Sequence, residues 1–172
     1  MPLRPAKCYK LLKKPPYTRK DYIGGIPQPK ITKFVMGNVE GNFDVVVKLV
    51  AIEACQVRHN ALEAARVIGH KYLSKYVGDT NYLFIIRTYP HHVLRENKMM
   101  AFAGADRLQD GMRLAFGRPI GTAARIHEGT VIAEIRIPEK FVDQAKEAMR
   151  RILSKIGVKA EVVIEKLSKG SS

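Results

Sequence analysis

A chain of 172 residues, 46% hydrophobic and 27% charged, has the length and composition of one folded domain spanning 1–172 and is excluded from the disordered and fibrous classes. Its 30 Lys and Arg against 16 Asp and Glu leave a net charge of +14, which points to a polyanionic partner. No apolar run approaches the roughly 18 residues of a transmembrane helix, and the start lacks the apolar stretch and cleavage site of a signal peptide, so a cytoplasmic location without membrane contact is expected.

Residues 1–29 read as an extended basic arm. Pro2, Pro5, Pro15, Pro16, Pro27 and Pro29 block both helix and central strand. Tyr9, Tyr17 and Tyr22 are interleaved with Arg4, Lys7, Lys10, Lys13, Lys14, Arg19 and Lys20. That mixture suits RNA, because cations neutralise phosphates while aromatic faces stack on unpaired bases. A solubilising tail is the plainer reading, and the tyrosines count against it. Cys8 and Cys55 are isolated and fit neither a disulfide framework nor paired zinc ligands, so both read as structural.

The body, 30–166, opens on two expected strands, 31–36 and 44–54, around a turn at 37–42. A helix follows, with Asn60 as N-cap, Glu63 completing a capping box and Gly78 closing it after Val77. The 3.6-residue period puts its buried stripe at Ala61, Ala65, Ile68, Tyr72 and Tyr76, with Arg66 and Lys75 outward. His59 and His70 have no ligand cluster beside them, so no metal site is expected. Residues 82–89 are β-forming and end at Pro90. His91 and His92 follow; in extended chain they point different ways, which suits backbone or RNA contacts better than chelation.

Residues 98–119 fit no regular element. Gly104, Gly111 and Gly117 each disfavour a continuous helix by about 1 kcal/mol relative to alanine. Met99, Met100, Phe102, Leu108, Met112, Leu114 and Phe116 are too apolar for a solvent loop, and Arg107, Arg113 and Arg118 are spread among them. The expectation is a long loop ordered by a partner. A helix-turn-helix insertion that packs its methionines into the core is the alternative.

Beyond the loop, 122–127 and 130–137 flank Glu128 and Gly129 as a hairpin. Pro138 is expected at the first position of a second helix, with Phe141, Ala145, Ala148 and Ile152 inward and Gly157 as its C-terminal cap. A last strand, 158–165, precedes a frayed tail at 167–172. The expected fold class is therefore α+β: a mixed, largely antiparallel sheet with two helices packed on it, a long partner-ordered loop and an extended basic N-terminal arm.

Catalytic patterns are missing. There is no P-loop ending and no Gly-x-Gly-x-x-Gly, and Asp106 and Asp110 each have an arginine nearby, Arg107 and Arg113, which makes surface salt bridges the commoner explanation. No enzyme activity, catalytic residue or cofactor is expected.

The run Leu94-Arg95-Glu96-Asn97-Lys98-Met99, then Ala103-Gly104-Ala105-Asp106-Arg107-Leu108-Gln109, Gly111-Met112-Arg113 and Ala115-Phe116-Gly117, resembles the signature of the L-sixteen family of large-subunit ribosomal proteins, in its archaeal and eukaryotic L-ten-e branch. Arg4-Pro5-Ala6-Lys7-Cys8-Tyr9 and Ala61-Leu62-Glu63-Ala64-Ala65-Arg66 are similar to that branch as well. The resemblance implies a structural constituent of the large ribosomal subunit that binds rRNA near the tRNA-binding and peptidyl-transferase region and supports subunit assembly and tRNA placement. It implies that Arg95, Lys98, Arg107, Arg113 and Arg118 face rRNA; the cations of the arm, Arg66 and Arg125 are expected to bind rRNA as well. Ala103, Gly104, Ala105, Asp106, Arg107, Leu108, Gln109 and Gly111 are implied as the loop tip near the tRNA sites.

The partners implied are large-subunit rRNA, neighbouring ribosomal proteins and, through the loop, tRNA; no homo-oligomer is expected. Tyr89-Pro90-His91-His92, and the lack of a long basic stretch after Lys166, depart from the eukaryotic pattern and favour an archaeal source. The residues alone leave open a free-standing RNA-binding or RNA-modifying factor.

Overall fold

The computed structural model describes residues 4–97, 112 and 115–167. Within them the strands are β1 (Val35–Gly37), β2 (Val45–Ala51), β3 (Cys55–Arg58), β4 (Leu83–Ile86), β5 (His92–Glu96), β6 (Arg118–Ile126), β7 (Val131–Ile137) and β8 (Ala160–Lys166), with helices α1 (His59–Tyr76) and α2 (Val142–Ile156). The class is α+β and every strand pairing is antiparallel. The loop expectation over 98–111, 113 and 114, and the frayed tail over 168–172, lie outside the described residues.

One sheet was expected and two are present. The larger has the order β1-β4-β7-β2-β8, the smaller β3-β6-β5. The difference comes from the expected hairpin: β6 and β7 do not pair. Gly129, at φ 78°, does make the turn, and the Thr130 N–H donates to the His127 carbonyl at 3.1 Å. The turn is pinned elsewhere, however, because the Gly129 N–H donates to the Ala51 carbonyl (2.9 Å) and the Ala51 N–H to the Thr130 carbonyl (3.0 Å). Held on the end of β2, the turn sends β7 to β2 and β4 and leaves β6 for β3 and β5.

Strands β3 and β5 were not expected. The run from 44 ends at Ala51, where its last partner is Ala160, and β3 starts after a bend. Only Cys55 and Val57 of β3 are buried, too few for a period-2 signal to stand out beside Gln56 and Arg58. β5 buries only Val93 and Leu94, which are adjacent and so face opposite sides, and this gives no period-2 signal. β6 begins at Arg118, so the last two residues assigned to the loop are strand.

Helix α1 starts two residues earlier than the capping box suggested. Arg58 is its N-cap and gives no side-chain hydrogen bond. Glu63 instead accepts from Arg66 Nε (2.9 Å) and Nη2 (2.6 Å), so the carboxylate is committed along the helix rather than to its end. The C-terminal expectation holds: Gly78 has φ 85°, and the N–H groups of Val77 and Gly78 both donate to the Leu73 carbonyl. Pro138 lies outside its helix, preceding a 3-10 turn (Glu139–Phe141), and α2 begins at Val142. Gly157, at φ 69°, closes it.

The buried side of α1 is His59, Leu62, Ala65, Gly69 and Leu73, which shares only Ala65 with the expected stripe. The rotation follows from a contact with α2. A Cβ at Gly69 would stand 2.8 Å from Ile152 Cδ1 and 3.1 Å from Phe84 Cε1, so the hydrogen of glycine is what lets the helices approach there. Tyr72 and Tyr76 move to the flank, Tyr76 remaining 51% exposed. On α2, Ala145, Ala148, Met149, Ile152 and Ile156 are buried, as expected for three of the four residues named; Phe141 is half-buried. The core joins these to Val45, Val47 and Leu49 of β2, Ile135 and Ile137 of β7 and Phe84 of β4. Each large apolar side chain so buried stabilises by about 1.5–3 kcal/mol.

The arm is laid along the outer side of the small sheet. Period-2 alternation turns Cys55, Val57, Ala124 and Ile126 to the core and Gln56, Arg58 and Arg125 to the arm. Gln56 donates to the Leu11 carbonyl (2.8 Å), Arg125 to the Leu12 carbonyl (2.7 Å), and the Val93 N–H to the Tyr17 carbonyl (3.0 Å). Two 3-10 turns, Ala6–Tyr9 and Lys20–Tyr22, interrupt the expected extended path.

His92 receives the Tyr17 N–H on Nδ1 at 2.8 Å, which requires the neutral ring. Burial, then the charges of Arg125, His91 and Arg95, push its pKa down to about 4 from 6.5. A histidine lowered in this way contributes stability above its unfolded value and loses it as pH falls through the folded one.

Two outcomes follow. Gly69→Val should lower stability by about 2 kcal/mol through overpacking against Ile152; a denaturant midpoint equal to that of the parent would refute the close approach. Acidification from pH 6.5 to 4 should remove amide-exchange protection at Tyr17 before that of β2. His92→Gln, which offers an acceptor that does not titrate, should abolish this pH dependence.

Candidate nucleic-acid interface

Between the arm and the small sheet runs a cleft of about 780 Å³, lined by Arg4, Tyr9, Lys13, Lys14, Tyr17, Arg95 and Arg125 among others. Three of its lining residues, Tyr9, Tyr17 and Arg95, take part in cation–aromatic contacts. The Arg58 guanidinium lies 5.4 Å from the Tyr9 ring centre and its Nη1 donates to the Tyr9 hydroxyl at 3.4 Å. Arg95 touches two rings at once, 4.6 Å from the Tyr17 ring centre and 4.0 Å from the Phe116 ring centre, while those rings meet edge-on at 6.3 Å. Each such contact at an exposed site is worth about 0.5–1 kcal/mol. Arginine suits the position because its flat guanidinium stacks and still leaves N–H groups free for phosphate.

This cluster also joins three parts of the chain: Tyr17 from the arm, Arg95 from β5 and Phe116 from the segment leading into β6. At its base, Gly117 lies against β5 so closely that a Cβ would stand 2.8 Å from the Glu96 carbonyl carbon and 2.9 Å from Asn97 N. Asn97 and Gly117 are therefore neighbours, and the chain leaves the small sheet and returns to it at one place.

The candidate residues separate into groups. Arg4 is paired with Glu96 (2.8 Å) and Lys10 with Glu53 (3.0 Å), and the Lys10 bond with the Lys159 N–H holds the Glu53 carboxyl below its ordinary pKa. Lys7, Lys13, Lys14, Arg19, Lys20 and Arg118 are exposed and have no ion-pair partner among the described residues. Arg118 opposes Glu96 across β5 and β6, one residue from the Arg95 and Pro119 pairing, so it flanks that cluster. Arg125 is half-buried and spent on the arm's backbone.

Arg66 is not with the others. It sits on α1, its side chain 18% exposed, held by Glu63 and 3.8 Å from Met36 Sδ, which corrects its expected outward position. Lys98, Arg107, Arg113 and the tip residues Ala103, Gly104, Ala105, Asp106, Leu108, Gln109 and Gly111 lie outside the described residues.

Arg58 and Gln56 were missed as arm contacts. Their signal was the polar phase of a four-residue strand that was itself missed. Neither His59 nor His70 is arranged as a ligand: His59 Nδ1 accepts the Lys30 N–H (2.9 Å), and His70 Nδ1 meets the Tyr82 hydroxyl (2.7 Å). Cys55 is buried, and burial pushes its thiol up to about 11, so it is an inert core side chain; Cys8 is exposed.

The family described as Ribosomal protein L16p/L10e matches residues 12–163. A protein of Staphylothermus marinus named large ribosomal subunit protein uL16 is 64% identical over 170 residues, covering 99% of this chain and 98% of its own length. Proteins of the same name from Hyperthermus butylicus and Sulfolobus acidocaldarius are 58% and 55% identical, covering 94% and 98% of this chain and 93% and 97% of their own. A match over nearly the whole chain, at this identity and with the arm and both sheets inside it, means that the chain belongs to the ribosomal protein L16p/L10e family.

Proposed function

We propose that the chain is a structural constituent of the large ribosomal subunit in the cytoplasm, and that it binds rRNA through the arm and the outer side of the small sheet. The observation that carries this is the pair of exposed cations without ion-pair partners among the described residues, Lys13 and Lys14, lining a cleft together with Tyr9, Tyr17 and Arg95, with Lys7, Arg19 and Lys20 exposed elsewhere on the arm and Arg118 beside Glu96. Phosphate neutralisation by these groups supplies affinity, and the aromatic faces accept unpaired bases. No base-reading strand or helix is displayed there, so shape and charge dominate over sequence.

Arg95 contributes from its place against the Tyr17 and Phe116 rings, while Arg4, Lys10 and Arg125 hold the arm in place. Lys98, Arg107 and Arg113 extend the basic surface into the loop. The tip, Ala103 to Gly111, reaches toward the tRNA-binding and peptidyl-transferase region, where the chain supports subunit assembly and tRNA placement without catalysing a reaction. Neighbouring ribosomal proteins are the remaining partners. The body and arm act as one domain in this role.

The test is a filter-binding titration of the chain against deproteinised large-subunit rRNA over a range of KCl concentrations. Lys13→Glu/Lys14→Glu should weaken binding by roughly tenfold and flatten the plot of log affinity against log salt by about 1–2. Unchanged affinity and slope would refute the arm as an RNA contact. Failure of the chain to sediment with large subunits would favour a free-standing RNA-binding factor instead.

A further inference from the structure

A second cation–aromatic cluster lies on the helices. Tyr72 and Tyr76 of α1 stack with ring centres 4.6 Å apart at 41°. Arg151 of α2 caps the Tyr72 ring at 4.2 Å, and Lys75 Nζ lies 5.2 Å from the Tyr76 ring. This cluster belongs to α1, which packs on the opposite face of the small sheet from the arm, so it is no part of the cleft.

Its charge is one-sided. Residues 67–76 and 150–156, the halves of the two helices that meet where Gly69 touches Ile152, hold Lys71, Lys75, Arg150, Arg151 and Lys155 and no acid. Glu147 pairs with Arg151 at 2.9 Å and reaches Arg150 at 3.9 Å, and Asp79 accepts from the Tyr82 hydroxyl. Lys71 and Lys75 are exposed and unpaired among the described residues. Cations near helix C-termini do favour the helix dipole, but that accounts for neither the stacked tyrosines nor the half-exposed ring of Tyr76. A tyrosine ring braced from below by a second ring, with lysines beside it, is the arrangement that receives a base together with its phosphates.

We propose that this patch is a second RNA-contact surface, in which Tyr76 stacks on an unpaired base and Lys71 and Lys75 neutralise the flanking phosphates. Tyr72 and Arg151 are positioning residues that fix the Tyr76 ring. The chain then joins two segments of RNA, one along the arm and one across the helices. The proposal rests on the rRNA-binding reading above.

Full-length chain and deproteinised large-subunit rRNA are again the reagents, with the Lys13→Glu/Lys14→Glu variant run in parallel. Lys71→Glu/Lys75→Glu should weaken binding by roughly tenfold and reduce the salt slope by about 1–2. Tyr76→Ala, which changes no charge, should weaken it about fivefold or more, while Tyr76→Phe should bind as the parent does. If the arm variant binds weakly and the helix variants bind as the parent, the second surface is wrong and the rRNA reading stands; if all variants bind as the parent, both fail. Should Lys71→Glu/Lys75→Glu lose its far-UV helical signal, Lys71→Ala/Lys75→Ala takes its place with the same expected direction. Photocross-links from Tyr76 in assembled subunits should fall on a nucleotide, and cross-links to a protein instead would overturn the proposal.

Discussion

The architecture depends on the hydrogen bonds that fasten the 127–130 turn to Ala51. Had Gly129 closed an ordinary hairpin, β6 would have extended the large sheet and left β3 and β5 without a central strand. Because the turn is held on the end of β2, β6 is released into a small sheet with one face on α1 and the core and the other open. That open face is where the arm lies. A segment of basic chain with so many prolines has no fold of its own, and the small sheet gives it one through backbone acceptors at Leu11, Leu12 and Tyr17.

The same economy governs charge. Cations near carboxylates, such as Arg4, Lys10 and Arg66, fix pieces of chain to each other. Buried Glu134 shows the limit of this use: burial opposes its ionisation, yet hydrogen bonds from Arg136 and Arg87 keep its carboxyl below the ordinary value. The excess of basic over acidic residues then leaves a remainder with nothing to pair with. That remainder collects on the arm and the C-terminal halves of the helices, where apolar burial does not need the space.

Local signals in the sequence located what local physics controls. Both helices, their glycine caps at Gly78 and Gly157, and the long valine and isoleucine runs of β2 and β7 are visible because each needs only its own residues to declare itself. The misses are non-local. The orientation of α1 was set by Gly69 meeting Ile152, which no periodicity count contains. β3 and β5 are strands because β6 lies between them, and their own compositions are half polar. The cations of the arm were legible as a group, but their division into those that hold the arm and those that remain free depends on Glu53 and Glu96, distant in sequence. The family signature supplied function where composition gave only a class of partner.

The contact of Gly117 with Glu96 and Asn97 bears on how this chain can vary over time. Whatever lies between 97 and 117 starts and finishes at a single anchored point, so the distance it must span is near zero for any number of residues. Where a segment with its ends so held is flexible, doubling its length adds only about 0.6 kcal/mol of closure entropy. The number of residues between these two anchors can thereby change almost independently of the stability of the body, and Gly117 is the residue whose replacement would disturb the anchor.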